Sequence, residues 1–306
     1  MTSTKGSLMM QSKNALKNTL KANPDSLKNI QHIVCFDEVD EATIKEVTDL
    51  NVQFLPFAKL LDEQLDLPQP KLSPEQTFSI NFTSGTTGKP KGAIISHHNI
   101  VSCWFGLKDD VHFEATDVHL SYLPLAHTFE RLFSFWVIGA GANVRFYSGN
   151  AQDLVKDMAR VKPTIIPFVP RLLNKFYSML KPLSHVPKEL AEEAMRVKRE
   201  NWLKGIPTSP YDDTVFKPVR DLFGGRLRLI ISGAAPIAIE VLEFFMVVLG
   251  IDIREAYGQT EANAGWFTQL GEKHAGHVGG ISRSAEFKFV DIPEMGYYTN
   301  KDPPTG

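Results

Sequence analysis

The sequence predicts an α/β fold: layered, mostly parallel sheets with helices on both faces. Three observations carry that prediction. Ile33-Val34-Cys35-Phe36, a polar segment holding Lys45 and Glu46, and Val52-Gln53-Phe54-Leu55 follow one another as strand, helix, strand. Later apolar runs, Leu227 to Ser232 and Ile251 to Ala256, each end in a cluster of small or polar residues. Stretches with helical spacing separate the runs. The composition suits a packed core, with 43% hydrophobic and 22% charged residues among 306. A formal net charge of -2 gives no electrostatic case for nucleic-acid binding. The two cysteines, Cys35 and Cys103, stand far apart in no metal-like spacing, which argues against a disulfide framework and fits a reducing compartment. The nine histidines show no ligand spacing. The most apolar stretch, Val241 to Ile251, is interrupted by Glu243 and stops at Gly250, so it reads as a buried helix, not a membrane span.

Taken in order, residues 1–23 carry four lysines and no acid. Arginine, which a mitochondrial presequence needs, is absent there, and Leu16 and Leu20 stand four apart as in a modest amphipathic helix. Leu67-Pro68-Gln69-Pro70-Lys71 reads as a linker, dividing a segment 1–75 from a core 76–306. Thr77-Phe78-Ser79-Ile80-Asn81-Phe82 alternates polar and apolar like a half-buried strand, and Ala93-Ile94-Ile95-Ser96 reads as another. Between them runs Thr83-Ser84-Gly85-Thr86-Thr87-Gly88-Lys89-Pro90-Lys91-Gly92. Glycines let a backbone come close to a ligand, hydroxyls and amides surround phosphate oxygens, and lysines add charge. A plain surface hairpin would use similar residues. The flanking strands and the lysines favour a polyphosphate loop. It is not a Walker loop, because Pro90 stands where Ser or Thr would follow the lysine and a strand follows where a helix is required.

Ser96 or Asn99 could cap a helix over Ile100 to Leu107. The run Leu120 to Leu123 is a strand ended by Pro124, with His127 at its tip and a helix from Phe129 to Ile138 behind it. His127 there is equally a capping or core histidine and a catalytic one. Phe129, Phe133, Phe135 and Trp136, taken alone, read as core. A strand at Asn143 to Tyr147 and a helix at Asp153 to Val161 follow. Then come a proline-bounded strand at 163–170 and a helix over Arg171 to Lys181. The mixed charges of Pro187 to Lys204 read as a solvated helix face. Gly233-Ala234-Ala235-Pro236 closes the next strand, where small residues let a flat ring lie against the backbone, and a helix runs over Ile239 to Leu249. The strand Ile251 to Ala256 ends in Tyr257-Gly258-Gln259-Thr260-Glu261, a set able to stack a base, approach a phosphate and hold Mg²⁺ through oxygen.

The string Thr-Ser-Gly-Thr-Thr-Gly-Lys-Pro-Lys-Gly at 83–92 closely resembles the signature of the adenylate-forming enzymes. Leu-Pro-Leu-Ala-His at 123–127, with Glu130-Arg131, resembles the family's second signature in its long-chain fatty acyl-CoA synthetase branch. The segments around Gly233 and Tyr257, and Gly276-His277-Val278-Gly279-Gly280, are similar to further signatures in the family's order. The resemblance covers nearly the whole chain and is most specific over residues 77–306.

It implies ATP-dependent activation of a long-chain fatty acid to an acyl-adenylate, then transfer to coenzyme A. Thr83, Ser84, Gly85, Thr86, Thr87, Gly88 and Lys91 would face the phosphates. Thr83 and Glu261 would serve Mg²⁺. His127 would sit near the α-phosphate and carboxylate as a catalytic group, alongside Lys91 and Glu261. Gly233, Ala234, Ala235, Tyr257, Gly258 and Thr260 would line the nucleotide site. The acyl chain would run near Phe129, Trp266 and the turn at 276–280. The resemblance also implies a cytoplasmic protein, with room for peripheral attachment to the cytosolic face of an internal membrane such as the endoplasmic reticulum.

The chain departs from the family at both ends. The start stands late in the family's first sheet. After the loop-like ending at 302–306, the family would continue with a strand-rich subdomain and a mobile domain carrying a ribose-binding aspartate, a hinge and a catalytic lysine. The expectation is therefore an incomplete large N-terminal domain with impaired turnover. Two other readings stand beside it: a nucleotide- or lipid-binding fragment without turnover, and a ligase for another acid.

Overall fold

The structure is a computed structural model that describes residues 7–27, 29–61, 68–83, 88–180 and 183–301. The sequence expectations for Lys5, Ser84, Gly85, Thr86, Thr87, Lys181 and the stretch 302–306 lie outside the described residues. The chain divides into two compact units between Lys71 and Leu72.

The first unit is a three-stranded parallel sheet, β1 (Leu8–Gln11), β2 (His32–Cys35) and β3 (Gln53–Pro56), in that order. Helices α1 (Lys13–Ala22), α2 (Glu41–Thr48) and the short α3 (Phe57–Leu61) connect or follow the strands. Ser12 and Asp40 cap the first two through side-chain oxygens that accept from Ala15 N and Thr43 N. Leu16, Leu27, Ile33, Val47 and Val52 form its core.

The second unit begins with an antiparallel hairpin, β4 (Thr77–Thr83) and β5 (Lys91–Ser96), whose two strands pair only with each other among the described residues. Next come α4 (His97–Val111), β6 (Val118–Ser121), α5 (Thr128–Gly139), β7 (Asn143–Phe146) and α6 (Leu154–Val161). Strand β8 (Ile165–Phe168), α7 (Pro170–Leu180), α8 (Lys188–Leu203) and α9 (Lys217–Leu222) continue the chain. The last elements are β9 (Leu229–Gly233), α10 (Ile239–Leu249), β10 (Asp252–Gln259), β11 (Asn263–Phe267) and β12 (Gly280–Ile281). Ser96 and Asn99 close a reciprocal capping box on α4, so both candidate caps act.

Seven strands form one sheet in the order β12-β11-β10-β9-β8-β6-β7, parallel from β7 to β10 and antiparallel beyond it. Alternate residues of a strand point to opposite faces. Ile166, Phe168, Ile230 and Ile253 pack into one core with α6, α7, α9 and α10. Ile165, Leu229, Ile231 and Phe267 pack into the other with α4 and α5. This is the predicted α/β architecture with helices on both faces. The order reverses beside β6: β7 lies to one side and β8 to the other, and open sheets of this kind bind ligands at the carboxyl ends of their strands near such a switch point.

Four sequence expectations need correction. The alternation of β4 is real but inverted: Ile80 and Phe82 are 55% and 75% exposed, whereas Asn81 is buried. The inward face is polar because it is hydrogen-bonded to α5 and the turn before it. Helix α8 is not merely solvated. Its Lys198 is buried, with Nζ 2.8 Å from Asp212 Oδ1 and over the Phe216 ring. Burial lowers the Lys198 pKa, and the Asp212 carboxylate opposes the shift without cancelling it. Phe133 and Trp136 are core, but Phe135 is 39% exposed. Strand β10 does not stop at Ala256; it runs to Gln259 and turns antiparallel to β11 across a bulge at Tyr257 and Gly258.

Asp117, buried at the foot of β6, knits three strands together. It accepts from Thr164 Oγ1 (2.7 Å), Arg228 Nε (2.9 Å) and Glu114 N (2.8 Å). Burial pushes its carboxyl pKa up, but Arg228, the Glu114 amide and Thr164 outweigh that and hold it below the ordinary value. A depressed folded-state pKa means the stabilisation is complete at neutral pH and lost as pH falls through that lowered value. Asp117→Asn should lose about 2 kcal/mol at pH 7 by urea unfolding. The gap from the parent chain should shrink as pH falls through and below the ordinary carboxylate range.

Candidate functional site

The carboxyl ends of β6, β9 and β10 open onto a cleft of about 530 Å³. Thr83 and Lys91, opposite each other in the hairpin register, form part of its rim. Thr83 ends a strand and Lys91 begins one, so both stand where the glycine stretch leaves the hairpin. Gly88 is exposed with φ +84°, and it is not among the residues lining the cleft.

His127 comes from the turn after β6 and is the N-cap of α5. Its Nδ1 accepts a hydrogen bond from the Phe129 amide at 3.2 Å. In the neutral ring the proton must then sit on Nε2, which makes Nε2–H a donor. Capping and a chemical role are therefore compatible: one nitrogen orients the ring and the other remains for a ligand in the cleft that His127 lines. Phe129, Leu132 and Trp136, one and two turns on, form an apolar wall with Phe267 of β11. Two of the aromatics read as core thus also line the cleft.

Glu130 points the other way. Its Oε1 lies 2.8 Å from His119 Nε2 on β6 and accepts from Ser134 Oγ at 3.0 Å, with both Glu130 and His119 fully buried. This pair pins the first turn of α5 to the sheet. Tyr122, half-buried, donates to Pro167 O at 2.8 Å. Burial, and secondarily the Glu130 charge, push its pKa far up, so its hydroxyl stays protonated.

Strand β9 delivers Gly233 and Ala234 to the cleft. A Cβ on Gly233 would stand 3.1 Å from Ala256 O. Ala234 has φ +76°, a left-handed conformation that costs a non-glycine residue about 1 kcal/mol. Ala235 lines an adjoining lobe of about 340 Å³ with Gly276, His277 and Val278. Ala234, Ala256, Tyr257 and Gly258 line both lobes. The Tyr257 ring meets Trp266 edge-on at 5.1 Å, and Trp266 meets Phe287 at 5.9 Å. Trp266 itself lines neither lobe. Thr260 and Glu261, past the end of β10, complete the main cleft.

The glycine turn after β11 is held by a residue that the sequence reading passed over. Glu255 Oε1 accepts from Gly276 N at 2.9 Å, and Thr268 Oγ1 lies 3.0 Å from Glu255 N. His277 Nδ1 accepts from Gly279 N at 3.1 Å. Asn263 and Ala264, likewise not singled out, line the main cleft together with Gln259 of the strand-tip string. Their signal is positional: they flank the bend between β10 and β11.

Among the described residues, no group of three His, Cys, Asp or Glu side chains could hold a metal. Thr83 and Glu261 nonetheless supply one hydroxyl and one carboxylate to the same cleft. That donor set fits Mg²⁺, which takes few protein oxygens and completes its octahedron with water and phosphate.

Comparison with known proteins agrees with this architecture. The profile of the AMP-binding enzyme family matches residues 4–304. The peroxisomal long chain acyl-CoA synthetase 6 of Arabidopsis thaliana is 34% identical over 299 residues, covering 94% of this chain and 42% of the relative. The long-chain-fatty-acid–CoA ligase 5 of Rattus norvegicus is 37% identical over 288 residues, covering 90% and 42%. Among solved structures, the adenylation domain of the Mycobacterium chelonae carboxylate reductase superposes with a TM-score of 0.70 at 23% identity, covering 97% of this chain and 45% of its own. The A domain of the Segniliparus rugosus carboxylic acid reductase, in complex with AMP and a co-purified carboxylic acid, gives 0.70 at 20% identity, covering 97% and 46%. These structural likenesses establish the fold. The chain spans less than half the length of these relatives.

The bend at Gly258 tests whether the cleft depends on its backbone. A Cβ there would stand 2.0 Å from Asn263 O, which cannot move without breaking the β10–β11 pairing. Gly258→Ala should cost about 2 kcal/mol in urea unfolding. Gly265→Ala, whose Cβ would be 4.0 Å from Tyr257 O, should stay near the parent value.

Proposed function

The chain belongs to the AMP-binding enzyme family, and from that premise we propose that it carries the adenylate-forming site of a long-chain fatty acid–CoA ligase. Its substrates are then ATP, taken with Mg²⁺, a long-chain fatty acid and coenzyme A. The observation that carries the reading is convergence. Thr83, Lys91, His127 and Glu261 come from separate segments and line one cleft beside the small-residue slot at Gly233 and Ala234.

The chemical obstacle is repulsion between a carboxylate and the α-phosphate it must attack. Both charges have to be held close and partly neutralised. Lys91 brings a cation to the rim, and His127 offers Nε2–H to an oxygen of the carboxylate or α-phosphate. Thr83 and Glu261 would hold Mg²⁺, which when bound screens the triphosphate. Gly233 and Ala234 leave room for a flat base beside Tyr257, with Ala235 in the adjoining lobe. Phe129, Leu132, Trp136 and Phe267 offer an apolar wall for the acyl chain. Gly276 to Val278 belong to the adjoining lobe. Residues 76–306 form the adenylating core in this reading, preceded by an α/β segment.

Among the described residues, no helix is long and apolar enough to cross a membrane. Long-chain acids partition into bilayers at about 0.8 kcal/mol per methylene. The reading goes with a cytoplasmic protein that has room for peripheral attachment to the cytosolic face of an internal membrane.

The assay is fatty acid-dependent exchange of labelled pyrophosphate into ATP. His127→Ala and Glu261→Ala should each lower it about 100-fold, the loss typical of removing one charge-stabilising group. Full activity in either variant overturns the assignment of that residue. Exchange supported by aryl or amino acids but not by fatty acids moves the protein to another acid, and ATP binding without exchange makes it a binder.

A further inference from the structure

Beyond the groups that line the cleft, one side chain behind it ties two of its walls together. Arg131 lies one turn into α5, beside the Glu130 that anchors the helix to β6. Its Nε donates to Leu125 O at 2.9 Å. Its Nη1 donates to Ser79 Oγ at 2.8 Å and to Asn81 Oδ1 at 3.0 Å. Ser79 Oγ in turn donates to Asn81 Oδ1 at 3.0 Å, and Asn81 Nδ2 donates to Ala126 O at 3.2 Å. Three groups of the hairpin and the turn thus converge on one guanidinium, and Asn81 returns a bond to the residue preceding His127.

The register explains what this holds. Ser79, Asn81 and Thr83 alternate along β4 and share one face. Arg131 grips the first two, and the third enters the cleft. On the other side, Leu125 and Ala126 are the residues immediately before His127. A planar, always-charged fork with fixed donor directions suits such a three-way joint, where a single ammonium on a flexible stem would not hold the angles. The polar inward face of β4, opposite to the hydrophobic expectation, follows from the same joint.

We infer that Arg131 is a positioning residue: it sets the Thr83 end of the hairpin against His127 without touching substrate. The inference rests on the adenylation reading for its kinetic consequence, not for its geometry. A displacement of about 1 Å at a reacting group can cost about 100-fold in rate.

The test uses the full chain with Arg131→Met, Arg131→Lys and the milder Ser79→Ala. Amide hydrogen exchange should quicken at least tenfold over 81–83 and 127–129 in Arg131→Met, while 229–233 keep the parent rate. Pyrophosphate exchange should show a kcat about 100-fold lower, with adenosine affinity unchanged within threefold because Gly233, Ala234 and Tyr257 are untouched. Arg131→Lys should recover only a minor part, and Ser79→Ala should show the same pattern more weakly. Parent-like kcat in Arg131→Met, full recovery by lysine, or exchange quickening evenly across the sheet would each overturn the assignment. If the parent chain itself exchanges no pyrophosphate, the adenylation reading fails. The hydrogen-exchange pattern then decides Arg131 alone: local quickening sustains it and uniform quickening removes it.

Discussion

The site depends on how the first turn of α5 is held. A helix that starts at the lip of a parallel sheet can aim its first residues only if that turn cannot rotate. Here adjacent residues fix it in opposite directions. Glu130 reaches into the core to His119, and Arg131 reaches out to the hairpin. The inward bond is between fully buried groups, where an unmatched partner would be costly to leave behind. The outward bonds fall on a partly buried guanidinium. One grip sets the depth of His127 in the fold, and the other sets its distance from the strand that ends in Thr83.

The second wall is organised by backbone shape. Strand β10 pairs in parallel with β9 up to Ala256 and, from Ala256 to Gln259, antiparallel with β11. A bulge between Tyr257 and Gly258 interrupts the second pairing, and there is no room for a side chain at Gly258. Ala234, left-handed just past the end of β9, lines the same cleft. Such strain persists only where the surroundings enforce it. Both features sit where the two lobes join.

Much of this is legible in the sequence. The parallel strands announced themselves as short apolar runs, and helix α10 was read with its observed limits because Gly250 ends it in a left-handed cap at φ +66°. Some residues that line the cleft were legible because backbone-driven sites leave compact, unusual strings such as Gly233-Ala234. What escaped was set by long-range partners. The inward turn of Asn81 depends on Arg131, fifty residues away. Lys198 looked like one more surface charge because its partner Asp212 lies beyond the helix. Glu255 read as part of a strand, and its bond to Gly276 spans a separation that no periodicity reveals. The polar side of β4 faces the protein, so the apolar rule pointed the wrong way.

That inverted strand also shapes how the molecule meets its solvent. Ile80, Phe82 and Ile94 stand together on the outer side of the hairpin, with Gly92 adding no cover between them. Water in contact with such a patch makes its energy a function of the dissolved ions. Sulfate and phosphate raise the cost of keeping it wet, and urea lowers it. This outer patch, with the other exposed apolar side chains, therefore favours salting-out, whereas the polar chemistry inside the cleft does not.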